Sequence, residues 1–200
     1  MMRLSILLFD GFTALDVVGG YEVLANVPGM TLDFVAAAPG PVASDSGALG
    51  LMASLSYAGL AATDILYVPG GPGVEAALRD EALIDCIRRV GAASAWTVGI
   101  CNGVVLLGAA GMLAGQRVTT NYFARDQVRA FGAAVLPERH VRDGLELLTG
   151  AGVSSSIDTA LWLASMNLAA KRWPARSSWA SSTSPHRRSA MARRTSSRRP

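Results

Sequence analysis

The sequence predicts a doubly wound α/β fold, a mostly parallel sheet with helices on both faces. Three observations carry this. Short, branched, apolar runs alternate along the chain with segments of helical periodicity. Half of the 200 residues are apolar but only 6% are aromatic, a mix that suits helices packed closely on a buried sheet. Clusters of Gly and Pro fall between the runs, where turns belong.

In order, Arg3–Phe9 reads as a buried strand and Leu15–Val27 as a helix with Thr13 in the N-cap position. Thr31–Ala38 is a second strand, ended by Pro39-Gly40-Pro41. Val42–Ala43 and Leu51–Ala53 pair as a small hairpin around Asp45-Ser46-Gly47. Asp64–Val68 is a strand that runs into Pro69-Gly70-Gly71-Pro72-Gly73. Glu81–Ala93 is an amphipathic helix, Trp96–Ile100 a strand, and Asn102–Met112 and Tyr122–Phe131 are helices. Val135–Arg142 and Leu145–Thr149 flank the hairpin signal Asp143-Gly144. Ser154–Ala170 is a long apolar helix, and one domain ends near residue 170.

The net charge of +3 conceals an asymmetry. Residues 171–200 hold nine of the eighteen basic side chains and no acid. The first 170 residues therefore carry nine bases against fifteen acids, which excludes a nucleic-acid footprint on the folded part. The basic tail reads as disordered or as a site for an anionic partner. No apolar stretch is long enough to span a bilayer, and Leu4–Phe9 is too short for a secretory leader. Two cysteines, Cys86 and Cys101, make no disulfide framework, so a cytoplasmic protein is expected.

The most informative segment is Trp96 to Leu107. A buried strand ends in Gly99-Ile100-Cys101-Asn102-Gly103 and a helix follows at once. This is the glycine–x–nucleophile–x–glycine pattern of a sharp strand-to-helix turn, with Cys in the nucleophile position. A side chain at Gly99 or Gly103 is expected to clash where strand meets helix. The helix N-terminus is expected to stabilise a Cys101 thiolate, and the Asn102 backbone N–H to donate to an oxyanion. Cys86, mid-helix between Ile84 and Ile87, reads as a packing residue. The Gly70-Gly71 loop lies at the same sheet edge. It lacks the Lys and Ser/Thr of a phosphate cradle, and Gly71 reads either as a second oxyanion donor or as part of a plain tight turn.

The chain has two histidines, His140 beside charged neighbours and His186 in the tail, so a Cys–His dyad is not indicated. A carboxylic acid must then move protons, and Asp16, in the first turn of the first helix, is the best placed candidate. In isolation such an Asp commonly serves only the helix dipole, and Glu22 reads as solvent-facing. No Cys/His cluster has metal-ligand spacing, so neither a metal nor another cofactor is expected.

FTALDVVGGYEVL (12–24), YVPGGPGVEAAL (67–78), VGICNGVVLLGAAGMLAGQRVTTNY (98–122) and ERHVRDGLELLTGAGVSSSIDTALWLA (138–164) resemble, in order, the motifs of the ThiJ/PfpI superfamily. Within it they look most like the isonitrile hydratase branch. The resemblance covers residues 3–170 and implies a flavodoxin-like homodimer with its site near the dimer interface. It implies Cys101 as nucleophile, Asp16 as the acid that holds a proton beside it, and Gly71 and Asn102 as backbone donors, with Gly70 beside them. The implied reaction is attack of the thiolate on the terminal isonitrile carbon, protonation of the developing imidate, and release of an N-substituted formamide by water. The relatives usually carry Thr where this chain has Asn102, His where it has Asn121, and Pro where it has Gly20. The resemblance implies that Thr at position 102 raises isonitrile turnover. After residue 170 the family's continuation is absent. GC-rich codons for residues 171–200, read in another frame, restore it, which points to a frameshift near Lys171.

Two readings compete with hydration of an isonitrile by a small-molecule enzyme. One keeps Cys101 and acts on reactive carbonyls, as glyoxalase- or deglycase-like relatives do. The other is a ligand-sensing domain without turnover.

Overall fold

The computed structural model describes residues 1–144 and 146–169. The expectations for 171–200, a basic disordered tail and a frameshift product, concern residues outside those described. Among the described residues eleven strands are formed: β1 (Met2–Leu7), β2 (Met30–Ala36), β3 (Gly40–Ala43), β4 (Gly50–Ala53), β5 (Leu55–Ser56), β6 (Ile65–Val68), β7 (Trp96–Ile100), β8 (Arg117–Val118), β9 (Ala134–Val135), β10 (His140–Asp143) and β11 (Leu147–Gly150). The helices are α1 (Ala14–Ala25), α2 (Val74–Ala77), α3 (Glu81–Gly91), α4 (Gly103–Ala109), α5 (Arg125–Ala130) and α6 (Ser155–Ala169), with a 3-10 turn at Tyr122–Ala124.

The main sheet has the order β10-β11-β7-β6-β1-β2-β5. All its pairings are parallel except β10 with β11. The chain leaves β1 toward β2 on one side and returns to β6 on the other. Right-handed crossovers then place α1 and α3 on opposite faces. Accordingly α1 packs on α6, while α4 packs on α2, α3 and α5. This is the flavodoxin-like, doubly wound architecture.

The central strands are apolar because both faces are covered. All residues of β6 and β7 are buried, as are Leu4, Ile6 and Leu7 of β1. The buried polar residue of β1, Ser5, donates to Thr63 Oγ1 at 3.0 Å. Strands β1, β6 and β7 end at one edge, and the winding reverses between β1 and β6. Such a switch point opens a crevice at the carboxyl ends of the strands.

Several elements differ from expectation. The strand expected over Val135–Arg142 is two strands, because Pro137 lacks the N–H to continue a ladder, and β9 pairs with the unforeseen β8 instead of joining the main sheet. The helix expected over Tyr122–Phe131 opens with the 3-10 turn, where Asn121 Oδ1 accepts from the Phe123 N–H at 2.7 Å. The expected N-cap Thr13 precedes α1, but its hydroxyl makes no capping bond.

Candidate active site

Cys101 sits between β7 and α4 with φ 57°, the one non-glycine residue with positive φ among the described residues. Such a conformation costs energy and persists only where neighbours hold it. Three contacts do so. The Cys101 N–H donates to the Gly150 carbonyl at 2.9 Å, which prolongs the β7–β11 ladder. The Cys101 carbonyl accepts from Thr120 Oγ1 at 2.7 Å. The Cys101 sulfur accepts from Asn121 Nδ2 at 3.2 Å.

The flanking glycines are needed as expected. A Cβ on Gly99 would meet Leu107 at 2.7 Å, and one on Gly103 would overlap the Pro69 carbonyl. Two further glycines wall the nucleophile. A Cβ on Gly70 would lie 2.8 Å from Cys101 Cβ, and one on Gly152 would lie 2.9 Å from the sulfur.

Asp16 is fully buried at the start of α1. Its Oδ2 accepts from the Gly70 N–H at 3.1 Å, and its backbone carbonyl accepts from the Tyr67 hydroxyl at 2.7 Å. Its Oδ1 has no well-formed hydrogen bond. Burial pushes the Asp16 carboxyl up to about 7, against the opposing pull of the Gly70 N–H and the Cys101 thiol, and the charge of Asp45 adds to the rise. Asp45 is an exposed residue of the β3–β4 hairpin, whose N–H donates to the Phe12 carbonyl at 2.8 Å.

The thiol is pushed up as well, to about 11, first by burial and then by the negative charge of Asp16. The hydrogen bonds from Asn121 and from the Asn102 backbone N–H oppose this. The stabilisation of a thiolate expected from the start of α4 is opposed by burial and by the charge of Asp16. α4 has only seven residues, and its dipole is outweighed by burial and by Asp16. Near neutral pH the thiol therefore keeps its proton while the Asp16 carboxyl lies close to its own midpoint.

Gly71, expected as an oxyanion donor or as part of a tight turn, is held by the Asn102 side chain. Its N–H donates to Asn102 Oδ1 at 2.8 Å, while Asn102 Nδ2 donates to the Gly71 carbonyl at 3.0 Å. This side-chain clamp occupies the N–H that was expected to meet an oxyanion. The Gly70 N–H is engaged by Asp16, so of the candidate donors it is the Asn102 backbone N–H that faces the sulfur.

Sequence reasoning brought Cys101, Asp16, Gly70, Gly71 and Asn102 together, and the structure does place them together. It missed Asn121, Thr120, Gly152 and Asp45. The signal for Asn121 was its place in Thr119-Thr120-Asn121-Tyr122, where the resemblance implies His. Glu22 is exposed. His140 lies opposite Gly150 in the β10–β11 ladder, with its ring 6.1 Å from that of Trp162. Among the described residues no group of three His, Cys, Asp or Glu side chains is arranged to hold a metal ion, and no helix is long and apolar enough to cross a membrane.

Fold and elbow together define a flavodoxin-like α/β protein with a cysteine at the strand-to-helix turn. The chain belongs to the DJ-1/PfpI family, whose model matches residues 2–166. It is 37% identical over 163 residues to an isonitrile hydratase of Pseudomonas putida, a match spanning 82% of this chain and 71% of that one. The crystal structure of a ThiJ/PfpI family protein from Pseudomonas syringae superposes with a TM-score of 0.79 at 30% identity, covering 82% of this chain and 68% of that chain. A DJ-1 superfamily protein from Salmonella typhimurium, crystallised as a cysteine-to-alanine mutant, gives 0.74 at 26% identity and covers 84% and 91%.

Proposed function

We propose that this chain is an enzyme that adds water to an isonitrile and releases an N-substituted formamide, with Cys101 as nucleophile and Asp16 as the proton carrier. The observation that supports it most is the pairing of a thiol at a strained elbow with a buried carboxyl held near 7, one of whose oxygens is left without a hydrogen bond. The similarity to the hydratase of Pseudomonas putida supplies the substrate class.

The pair shares one proton, and its reactive form is thiolate with carboxylic acid. Attack by the Cys101 sulfur on the terminal isonitrile carbon forms the C–S bond and leaves the electron pair on that carbon. The carbon takes the proton from Asp16, giving a thioimidate. Water then adds to the same carbon as the Asp16 carboxylate takes a proton from it. Asp16 returns that proton to nitrogen and then takes the hydroxyl proton as the Cys101 thiolate departs, which completes the formamide and restores the thiolate with carboxylic acid. Hydrogen bonds from Asn121 and the Asn102 N–H stabilise the sulfur each time it carries charge.

A homodimer is part of the proposal. Leu15, Val153 and Ile157 are partly exposed apolar side chains close to the site, and the Leu15 carbonyl accepts from Ser156 Oγ at 3.0 Å, which joins α1 to α6 there. The two free thiols, Cys86 and Cys101, suit a reducing compartment, so the cytoplasm is the proposed location.

The experiment is incubation of purified protein with a simple alkyl isonitrile, following formamide, beside methylglyoxal under the same conditions. Formamide without methylglyoxal turnover supports the proposal. Methylglyoxal turnover without formamide replaces it with carbonyl chemistry at the same thiol.

A further inference from the structure

We infer that Asn121 is a catalytic residue of this site, a neutral amide that holds the Cys101 sulfur in its reactive form. The inference rests on the reading of Cys101 as nucleophile but not on the identity of the substrate.

The amide is fixed from both ends. Its Oδ1 accepts the Phe123 N–H at 2.7 Å, which caps the 3-10 turn, and this leaves Nδ2 facing the sulfur at 3.2 Å. An interchange of the two amide atoms would set NH₂ against N–H and oxygen against sulfur, so the orientation follows from chemistry. The preceding residue grips the same cysteine, with Thr120 Oγ1 on its carbonyl at 2.7 Å. Two successive side chains thus hold the strained backbone and the reacting atom.

The surroundings explain why this donor matters. The titratable group that acts on the thiol is Asp16, from the start of α1, and whenever it is ionised it opposes a thiolate. Asp45, from the β3–β4 hairpin, adds negative charge against Asp16. Balancing these are two neutral donors, the Asn102 N–H at the start of α4 and the Asn121 amide. Of the two, Asn121 belongs to a separate segment and can be altered without touching the elbow. Because an amide does not titrate, it stabilises the thiolate at every pH and leaves proton transfer to Asp16.

The test is the rate of alkylation by iodoacetamide against pH, on the full chain carrying Cys86→Ala so that one thiol is read. Asn121→Ala should slow alkylation about ten-fold at neutral pH and raise its midpoint by about one to two pH units, the worth of a hydrogen bond to a charged group. Asn121→Asp keeps the acceptor for the Phe123 N–H and so keeps the turn, but it sets a carboxylate against the sulfur. It should slow alkylation more than Asn121→Ala does. A purely structural capping role predicts the opposite order, with Asn121→Asp alkylating like the unsubstituted chain. That order, or an unchanged midpoint in Asn121→Ala, would overturn the inference. Should Asn121→Ala fail to fold, the Asp variant decides alone. Isonitrile turnover is not read, so a different substrate leaves the test intact.

Discussion

The Asn102 side chain closes two hydrogen bonds on the backbone of a single residue, accepting the Gly71 N–H at 2.8 Å and donating to the Gly71 carbonyl at 3.0 Å. The neighbouring Gly70 N–H holds Asp16 Oδ2 at 3.1 Å. The residue after the nucleophile therefore fixes the loop that positions the acid, and its own side chain is not free for proton transfer.

That relationship reverses one expectation. Thr at position 102 cannot span the Gly71 backbone, so Asn102→Thr should lower rather than raise kcat/KM for isonitriles. It should also cost about 1–3 kcal/mol of stability through unpaired buried groups. Denaturant unfolding and formamide kinetics on the one variant check both; a gain in turnover at unchanged stability would show that the clamp is dispensable.

Asp16 links function to stability. Its folded-state value near 7 lies above the ordinary 3.8, so between these the native state binds more protons than the unfolded chain. The sign is therefore unfavourable with rising pH: stability is undiminished below about 4, declines through the window, and is lowered by about 4 kcal/mol above 7. Asp16→Asn, which still accepts from the Gly70 N–H, should be the more stable protein at pH 8 and should lose this pH dependence, while hydrating no isonitrile. Urea midpoints at pH 4 and pH 8 for both proteins measure it, and an Asp16→Asn variant less stable at pH 8 would contradict the assignment of the shift to burial.

The pH profile of turnover follows from the shared proton. The active species is the singly protonated pair, so kcat/KM should rise through about 7 and fall through about 11, as macroscopic values of the pair. A profile with its acid limb near 4 would mean that Asp16 does not share the proton.

Gly152 stands against the sulfur with φ 71°, and an added Cβ would come within 2.9 Å of it. Gly152→Ala should cost about 1–2 kcal/mol of stability through the strained backbone and reduce turnover by more than that loss of folded protein explains. Activity per folded molecule, with the folded fraction from circular dichroism, separates the two effects.

Much of the fold was legible because β1, β6 and β7 are short apolar runs ended by turn residues, and the Gly99–Gly103 spacing marks the elbow directly. Asp16 was legible by elimination and by resemblance. The Asn102 clamp and the Asn121 contact were not, because hydrogen bonds between residues about 20 to 30 positions apart leave no periodic trace in a sequence. The thiol's shift was misread for a related reason. A helix start predicts stabilised negative charge, but the weight of burial and of Asp16 appears only once the side chains are packed.

The central claim is that Cys101 forms and breaks the bond to substrate. Formation of formamide from a simple isonitrile should be measured for the unsubstituted chain, Cys101→Ala and Cys86→Ala under one set of conditions. The account predicts turnover by the unsubstituted chain, none by Cys101→Ala, and near-normal turnover per folded molecule by Cys86→Ala, whose thiol is buried in α3. Unsubstituted kcat in Cys101→Ala would contradict it.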